Sequence, residues 1–172
     1  MMIAANQLSV REAEASDAES IARVHVDAWR ETYSGVLADH HFSDEAFSRR
    51  KRFWAGYLLL APRPGRMVVA ERGGALVGFA KSGEARGPDA EHGFPPARSL
   101  HLFSIYLLAT AHGSGLGQSM LDAVLRDDPA QLWVLRGNNR AIAFYERNGF
   151  AADGTEFIDP SEPGLVELRM VR

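Results

Sequence analysis

Apolar and polar residues alternate over Leu8-Ser-Val-Arg-Glu-Ala13, which predicts a first strand. Ser16-Asp-Ala-Glu19 then has the form of a capping box, with Ser16 as N-cap and Glu19 three positions on. The helix it opens is expected to run to about Tyr33. Ile21, Val24, Ala28 and Thr32 make one helical row, and Ala22, Val26, Trp29 and Tyr33 make a second. Two apolar rows mean a helix covered on more than one side. Gly35 stops it. Ser43-Asp-Glu45 predicts another N-terminus, its acidic residues suited to the positive helix end. Phe47, Trp54 and Leu58 mark one face of that helix, which ends before Pro62 and Pro64.

Arg66 to Glu71 and Leu76 to Ser82 flank Arg72-Gly-Gly-Ala75, a hairpin signal. Ser82 to Arg98 holds three Gly and three Pro and reads as a loop. Ser99 to Leu108 reads as a long apolar strand that runs into Ala109-Thr-Ala-His-Gly-Ser-Gly-Leu-Gly117. A helix follows until Pro129, its buried side marked by Leu116, Met120, Ala123 and Val124. Gln131 to Leu135 predicts a short strand, and Asn139 to Arg147 a helix closed by Asn148-Gly149. Strands near Phe150 to Ile158 and Leu165 to Val171 finish the chain. The order β–α–α–β–β–β–α–β–α–β–β, without repeats or linkers, predicts one α/β (α+β) domain over residues 1–172 with a mixed sheet.

Composition narrows the chemistry. Apolar residues make up 46% of the 172 and charged residues 24%, enough for a real core. A net charge of −3 does not advertise nucleic-acid or membrane binding. The absence of cysteine excludes disulfides, thiolate metal sites and a cysteine nucleophile. Met1 to Gln7 lacks the basic start and apolar stretch of a signal peptide. Tyr57 to Ala61 is an apolar run of only five residues, whereas a membrane helix needs about 20. The expectation is a soluble, cytoplasmic protein.

Between a strand and a helix, His112-Gly-Ser-Gly-Leu-Gly-Gln118 places three glycines where a backbone can approach a ligand. N–H groups and the positive helix end there suit phosphate; a plain tight turn is the other reading. A dinucleotide fingerprint would need Gly three after Gly115, where Gln118 stands. A P-loop needs a lysine, and a hydrolase elbow needs Gly at positions held by His112 and Leu116.

The segment instead resembles the acyl-CoA loop of the GNAT N-acetyltransferases, Gln/Arg-x-x-Gly-x-Gly/Ala, here His112-x-x-Gly115-x-Gly117. Leu132-Trp-Val-Leu135, Asn138, Ala141-Ile-Ala-Phe144-Tyr145-Glu146 and Gly149-Phe150 are similar to that family's strand–Asn–helix–Tyr segment. Trp29-Arg-Glu-Thr-Tyr33-Ser-Gly35 resembles a bacterial branch that includes polyamine acetyltransferases. The resemblance covers nearly the whole chain. It implies the GNAT fold, a mixed, mostly antiparallel sheet splayed between the fourth and fifth core strands and flanked by helices. It implies acetyl-CoA as co-substrate, with no metal, and a small-molecule or peptide amine as acceptor; it allows a homodimer. Backbone groups of Ile105, Tyr106 and Leu107 would take the pantetheine and thioester carbonyl. Those of Gly113, Ser114, Gly115, Leu116, Gly117 and Gln118 would take the pyrophosphate, and the His112 imidazole can touch a phosphate. The Asn138 side chain would contact the pantetheine arm, and Trp29 and Tyr33 would line the acceptor pocket.

Two positions depart from the family. His112 replaces Gln or Arg, and His101 replaces the Glu that commonly relays the substrate proton in this branch. His101 is therefore the candidate base or relay, with a satisfied structural histidine as the other reading, and Tyr145 is the candidate acid to the departing thiolate, with core packing as the other. A non-catalytic acyl-CoA sensor on the same fold is the alternative. Arg49-Arg-Lys-Arg52 reads as a solvated helix face, with phosphate contact as the other option, and His40-His41 lacks a third ligand at metal spacing. Asp153, Glu156, Asp159, Glu162 and Glu167 lie in or beside a stretch without Lys or Arg from Ala151 to Leu168. They lead us to expect a small cationic amine.

Overall fold

The computed structural model describes residues 7–172. Its elements are β1 (Leu8–Glu12), α1 (Ala18–Tyr33), α2 (Asp44–Leu58), β2 (Arg66–Arg72), β3 (Ala75–Glu84), α3 (Pro88–Glu91), β4 (Leu100–Leu107), α4 (Leu116–Leu125), β5 (Ala130–Leu135), α5 (Asn139–Arg147), β6 (Ala151–Ile158) and β7 (Val166–Val171). The strands form one sheet in the order β1-β2-β3-β4-β5-β7-β6. β1 with β2, β5 with β7 and β6 with β7 are antiparallel, and β4 with β5 is parallel.

The chain divides into two compact units, the first ending at Lys81 and resuming over Ser104–Arg126, the second made of Ser82–Phe103 and Asp127–Arg172. In the first, both rows of α1 are covered over three turns: Ile21, Ala22, Val24, Val26 and Ala28 are all buried. Ile21, Ala22 and Val24 pack in a core with Trp54, Leu58, Val69 and Phe79. The last turn opens, leaving Trp29 and Tyr33 half-buried. The hairpin turns on Gly73 and Gly74 at φ 59° and 82°, the left-handed pair that matches strand twist. Ser43 caps α2 by accepting the Ala46 N–H at 3.2 Å.

Ser16 is not the cap of α1. It lies inside a short 3-10 turn, and Asp17 stands at the cap position. The Asp17 carboxylate accepts the Glu14 N–H at 2.8 Å and pairs with Arg11 at 2.8 Å. Arg11 also pairs with Glu71 at 2.7 Å, linking β1, β2 and the start of α1. A local capping pattern cannot contain these long-range partners.

The second unit holds two differences from expectation. β3 runs on to Glu84, beyond the expected Ser82, and α3 forms inside the expected loop with Pro88 in its first turn. Gln131 on β5 stitches this region. Its Oε1 accepts the N–H groups of Ala97 and Arg98, and its amide donates to the Ala90 carbonyl. In β6 a register shift between Ala152 and Glu156 coincides with Gly154 at φ 87°.

Candidate functional site

Within the first unit, β4 ends at Leu107, a 3-10 turn spans Ala109–Ala111, and α4 starts at Leu116. Gly113 and Gly115 have φ of 74° and 86°, and a Cβ at either would meet nothing within 4 Å. The backbone there is bare on its outer side. α4 begins directly after Gly115, and the N–H groups of a helix's first turn have no carbonyl partner within the helix itself. Ser114 Oγ donates to the Ala111 carbonyl at 2.6 Å and accepts the Leu116 N–H at 3.4 Å, which fixes the loop internally.

His112 folds back on the strand. Its Nε2 lies 2.8 Å from the Leu107 carbonyl oxygen. A carbonyl only accepts, so Nε2 carries the proton, and Nδ1 is the nitrogen left toward any ligand.

Residues that local patterns do not reveal hold this strand and loop. Gly78 on β3 permits close approach to β4: a Cβ there would sit 2.8 Å from the Tyr106 carbonyl oxygen and 2.8 Å from Leu107 Cδ1. The Leu108 N–H donates to the Val77 carbonyl at 2.9 Å. Glu31, in the last turn of α1, accepts the Ala109 N–H at 2.8 Å, and Arg72 donates to the Thr110 carbonyl at 2.6 Å. Glycine within a strand is the one signal that could have pointed to Gly78.

An aromatic wall lies in the same unit. His25 stacks on Tyr106 with centroids 5.0 Å apart and meets Trp29 edge-on at 5.5 Å. Trp29 in turn meets Tyr33 at 5.5 Å and carries the Arg50 guanidinium over its ring at 4.6 Å. Trp54 Nε1 donates to His25 Nδ1 at 3.3 Å, so a neutral His25 has its proton on Nε2. Burial pushes the His25 pKa down to about 3, with the nearby Arg50 charge acting in the same direction, so the ring stays neutral at any ordinary pH. Trp29 and Tyr33, the expected acceptor residues, are both part of this wall. His25 and Arg50 have no motif to announce them. Arg50 does lie three residues after Phe47 and four before Trp54, on the buried face of α2.

In the second unit, His101 is buried and stands beside Gln131 in the β4–β5 register. Gln131 Oε1 is occupied by two backbone N–H groups, so the Gln131 nitrogen faces His101 Nδ1, at 3.3 Å. That amide donates, and the Nδ1 lone pair is therefore engaged. The ring of His101 also packs against Phe103 at 4.6 Å. Tyr145 is buried on α5, between Phe144 at 5.6 Å and Phe150 at 6.0 Å. Asn138 caps that helix, its Oδ1 accepting the Ala141 N–H at 3.3 Å.

The acidic stretch is not the open anionic patch expected. Asp153 pairs with Arg169 at 2.6 Å, and Glu156 pairs with Arg136. Glu167 takes His92 Nε2 at 2.9 Å, and Asp159 accepts the Ser161 N–H and hydroxyl. The partners Arg136, Arg169 and His92 all lie outside the window that holds no Lys or Arg. Among the described residues, no helix is long and apolar enough to cross a membrane.

Comparison with known proteins sets these features in a family. A family model described as Acetyltransferase (GNAT) family matches residues 21–150. A probable N-acetyltransferase of Mycobacterium tuberculosis is 28% identical over 156 residues, covering 88% of this chain and 84% of the relative. The crystal structure of PaiA N-acetyltransferase from Thermoplasma acidophilum in complex with coenzyme A superposes with a TM-score of 0.71 at 18% identity, over 96% of this chain and 98% of that one. A Salmonella typhimurium structure with its cofactor acetyl-CoA gives 0.67 at 19% identity, over 97% and 94%. The family match spans α1 through α5, including the glycine loop and the Asn138–Tyr145 segment, and the chain belongs to the acetyltransferase (GNAT) family.

Proposed function

We propose that this protein transfers the acetyl group of acetyl-CoA directly to a primary amine in a ternary complex. The observation that carries the reading is the loop from His112 to Gln118. It has two left-handed glycines, open space on their outer side and the N-terminus of α4 directly after them. Such a nest suits a pyrophosphate. The end of β4, Ile105 to Leu107, offers backbone groups to the pantetheine arm and the thioester carbonyl. In this reading the Asn138 side chain, whose Oδ1 caps α5, contacts the same arm.

Acetyl-CoA supplies an activated thioester. The chain supplies position and protons. Trp29 and Tyr33 line the acceptor side. An amine attacks only when neutral, and a lysine-like amine of pKa ~10.4 is mostly protonated near pH 7. His101 was the expected acceptor of that proton, but its Nδ1 lone pair is engaged by Gln131, so we assign the proton to water. The Tyr145 hydroxyl returns a proton to the departing thiolate. With no cysteine in the chain, no acetyl-thioester forms on the protein, and the acetyl passes straight to the amine.

The same lack of cysteine makes the test clean, because a thiol reagent reads only released CoA. Release is expected with some members of a panel of polyamines, amino acids, aminoglycosides and peptides. Gly115→Val forces a β-branched residue to φ 86° and is expected to weaken acetyl-CoA binding by ~10- to 100-fold, the worth of a charged hydrogen bond or two. Unchanged affinity in a folded variant rejects the loop as the pyrophosphate site. Tight acetyl-CoA binding with no turnover on any amine replaces the transferase with a sensor.

A further inference from the structure

Arg50 stands out on the aromatic wall. It is half-buried, and one guanidinium nitrogen donates to the His41 carbonyl at 2.9 Å while the plane covers the Trp29 ring. Among the described residues it has no carboxylate partner. Half-buried guanidinium groups ordinarily find an anion, since desolvation without one is costly. Burial does lower the Arg50 pKa from its ordinary value, against the opposing pull of Tyr106, and Arg49 adds to the lowering. Stacking on Trp29 offsets only part of that cost, and it holds the guanidinium fork in one plane.

The neighbours of Arg50 are donors as well. Trp29 Nε1 is buried and has no hydrogen-bond partner. Neutral His25, its Nδ1 taken by Trp54, can only donate from Nε2. Three side chains on one wall therefore present N–H groups, and the only full charge among them is positive. A protonated or polyamine-like group meets the like charge of Arg50 on this wall, whereas a carboxylate matches the guanidinium fork.

We propose that the amine acceptor carries a carboxylate and that Arg50 receives it. This rests on the transferase reading and names its substrate class: amino acids or other amino-carboxylates. The wall formed by His25, Trp29 and Tyr106 packs the rest of the molecule, and Trp29 Nε1 supplies a further donor. Arg50 is thereby a specificity residue and takes no part in the bond exchange.

The test compares matched acceptors by CoA release: L-leucine with L-leucinamide, and 4-aminobutyrate with butylamine. At least one carboxylate-bearing member is expected to exceed its partner in kcat/KM. Arg50→Gln is expected to shrink that ratio by ~10- to 100-fold, mainly through KM, as the loss of a charged, two-pronged hydrogen bond predicts. Arg50→Lys keeps the charge without the fork and is expected to lie between. If Arg50→Gln fails to fold, the wild-type ratios and Arg50→Lys still decide. Preference for the carboxylate-free partners, or ratios that the variants leave unmoved, overturns the proposal while leaving the transferase intact. The anion could instead be a phosphate of CoA. In that case calorimetry would show the acetyl-CoA Kd rising in Arg50→Gln with the acceptor ratios unmoved, which also overturns it. Turnover with no amine at all removes the transferase reading and this inference together.

Discussion

Gly78→Ala probes how closely β3 must press on β4. The new methyl would lie 2.8 Å from the Tyr106 carbonyl oxygen, 2.8 Å from Leu107 Cδ1 and 3.1 Å from Met120 Cε. The leucine and methionine ends can turn aside. The carbonyl cannot, because it belongs to the strand. Ordinary contact begins at 3.4 Å, so β4 must yield by several tenths of an ångström just where its backbone is assigned to the thioester arm. Overpacking of this kind costs about 1–3 kcal/mol, while replacing a strand glycine with alanine returns about 0.5–1 kcal/mol of chain entropy. The clash wins, with a net loss of about 0.5–2 kcal/mol and a Tm lower by ~1–8 °C for a chain of this length. Displacing reacting groups by 1 Å can cost ~100-fold, so a shift of about half that predicts a ~10-fold fall in kcat/KM. Gly56→Ala is the matched control. It lies exposed on helix α2, a Cβ there meets nothing within 4 Å, and it should gain about 0.5–1 kcal/mol. Thermal unfolding and CoA release on both variants make the assay. A Gly78→Ala protein with wild-type Tm and wild-type turnover would refute the idea that this glycine sets the position of β4.

Three further outcomes are expected. Tyr145→Phe should keep acetyl-CoA affinity and lose roughly 10²–10⁴-fold in rate, read by single-turnover CoA release; wild-type chemistry would make Tyr145 a packing residue between Phe144 and Phe150. His101→Ala should lower stability by about 2–4 kcal/mol, through the cavity it leaves and the stranded Gln131 amide, yet keep the shape of the pH–rate profile. A changed profile in a folded protein would return His101 to proton transfer. Asp17→Asn addresses acid stability. The Arg11 hydrogen bond, supported by the Glu14 N–H, holds the Asp17 carboxyl below its ordinary value in the folded state. A depressed folded pKa means a contribution that is full above the unfolded value of ~3.9 and lost as pH falls through the folded value. With Arg11 side chain 37% exposed, the pair should be worth about 1–2 kcal/mol at neutral pH. Urea midpoints should show this gap near pH 7 and a smaller one below ~pH 3; an equal gap at both would show that the charge is not what matters.

Much of the fold was legible because its signals are local. A two-residue hairpin turn needs positive φ at both central positions, which Gly73 and Gly74 supply. Ser43 caps the helix that starts one residue later, and Gly113 and Gly115 bend the chain into α4. Each depends on residues within a few positions of one another. Where partners come from afar, local reading failed. Asp17 stands at the cap in place of Ser16, its carboxylate paired with Arg11, which also holds Glu71. The stretch after Ser82 reads as loop because its glycines and prolines are loop-like residues, yet α3 forms within it. Gln131, more than thirty positions on, satisfies the backbone of Ala97 and Arg98 there.

Charge was the hardest feature to read, and it changes the acceptor we propose. A run of carboxylates suggests a cation only if the carboxylates are available, and availability is set by neighbours that sequence distance hides. Asp153 and Arg169 are 16 positions apart, Glu156 and Arg136 are 20 apart, and each pair sits together across the sheet. Arg50 errs in the opposite direction. Counted with Arg49, Lys51 and Arg52, it belongs to a solvated basic run, where a single charge means little. Helical spacing separates it from them. Arg49 reaches Glu45 and Lys51 reaches Glu19, but Arg50 turns toward Trp29 and finds only a carbonyl. A charge with a protein partner offers a ligand little, whereas a half-buried charge without one has its ligand still to come. On that criterion the acidic stretch gives no reason to choose a polyamine, and Arg50 gives a reason to choose an amino-carboxylate.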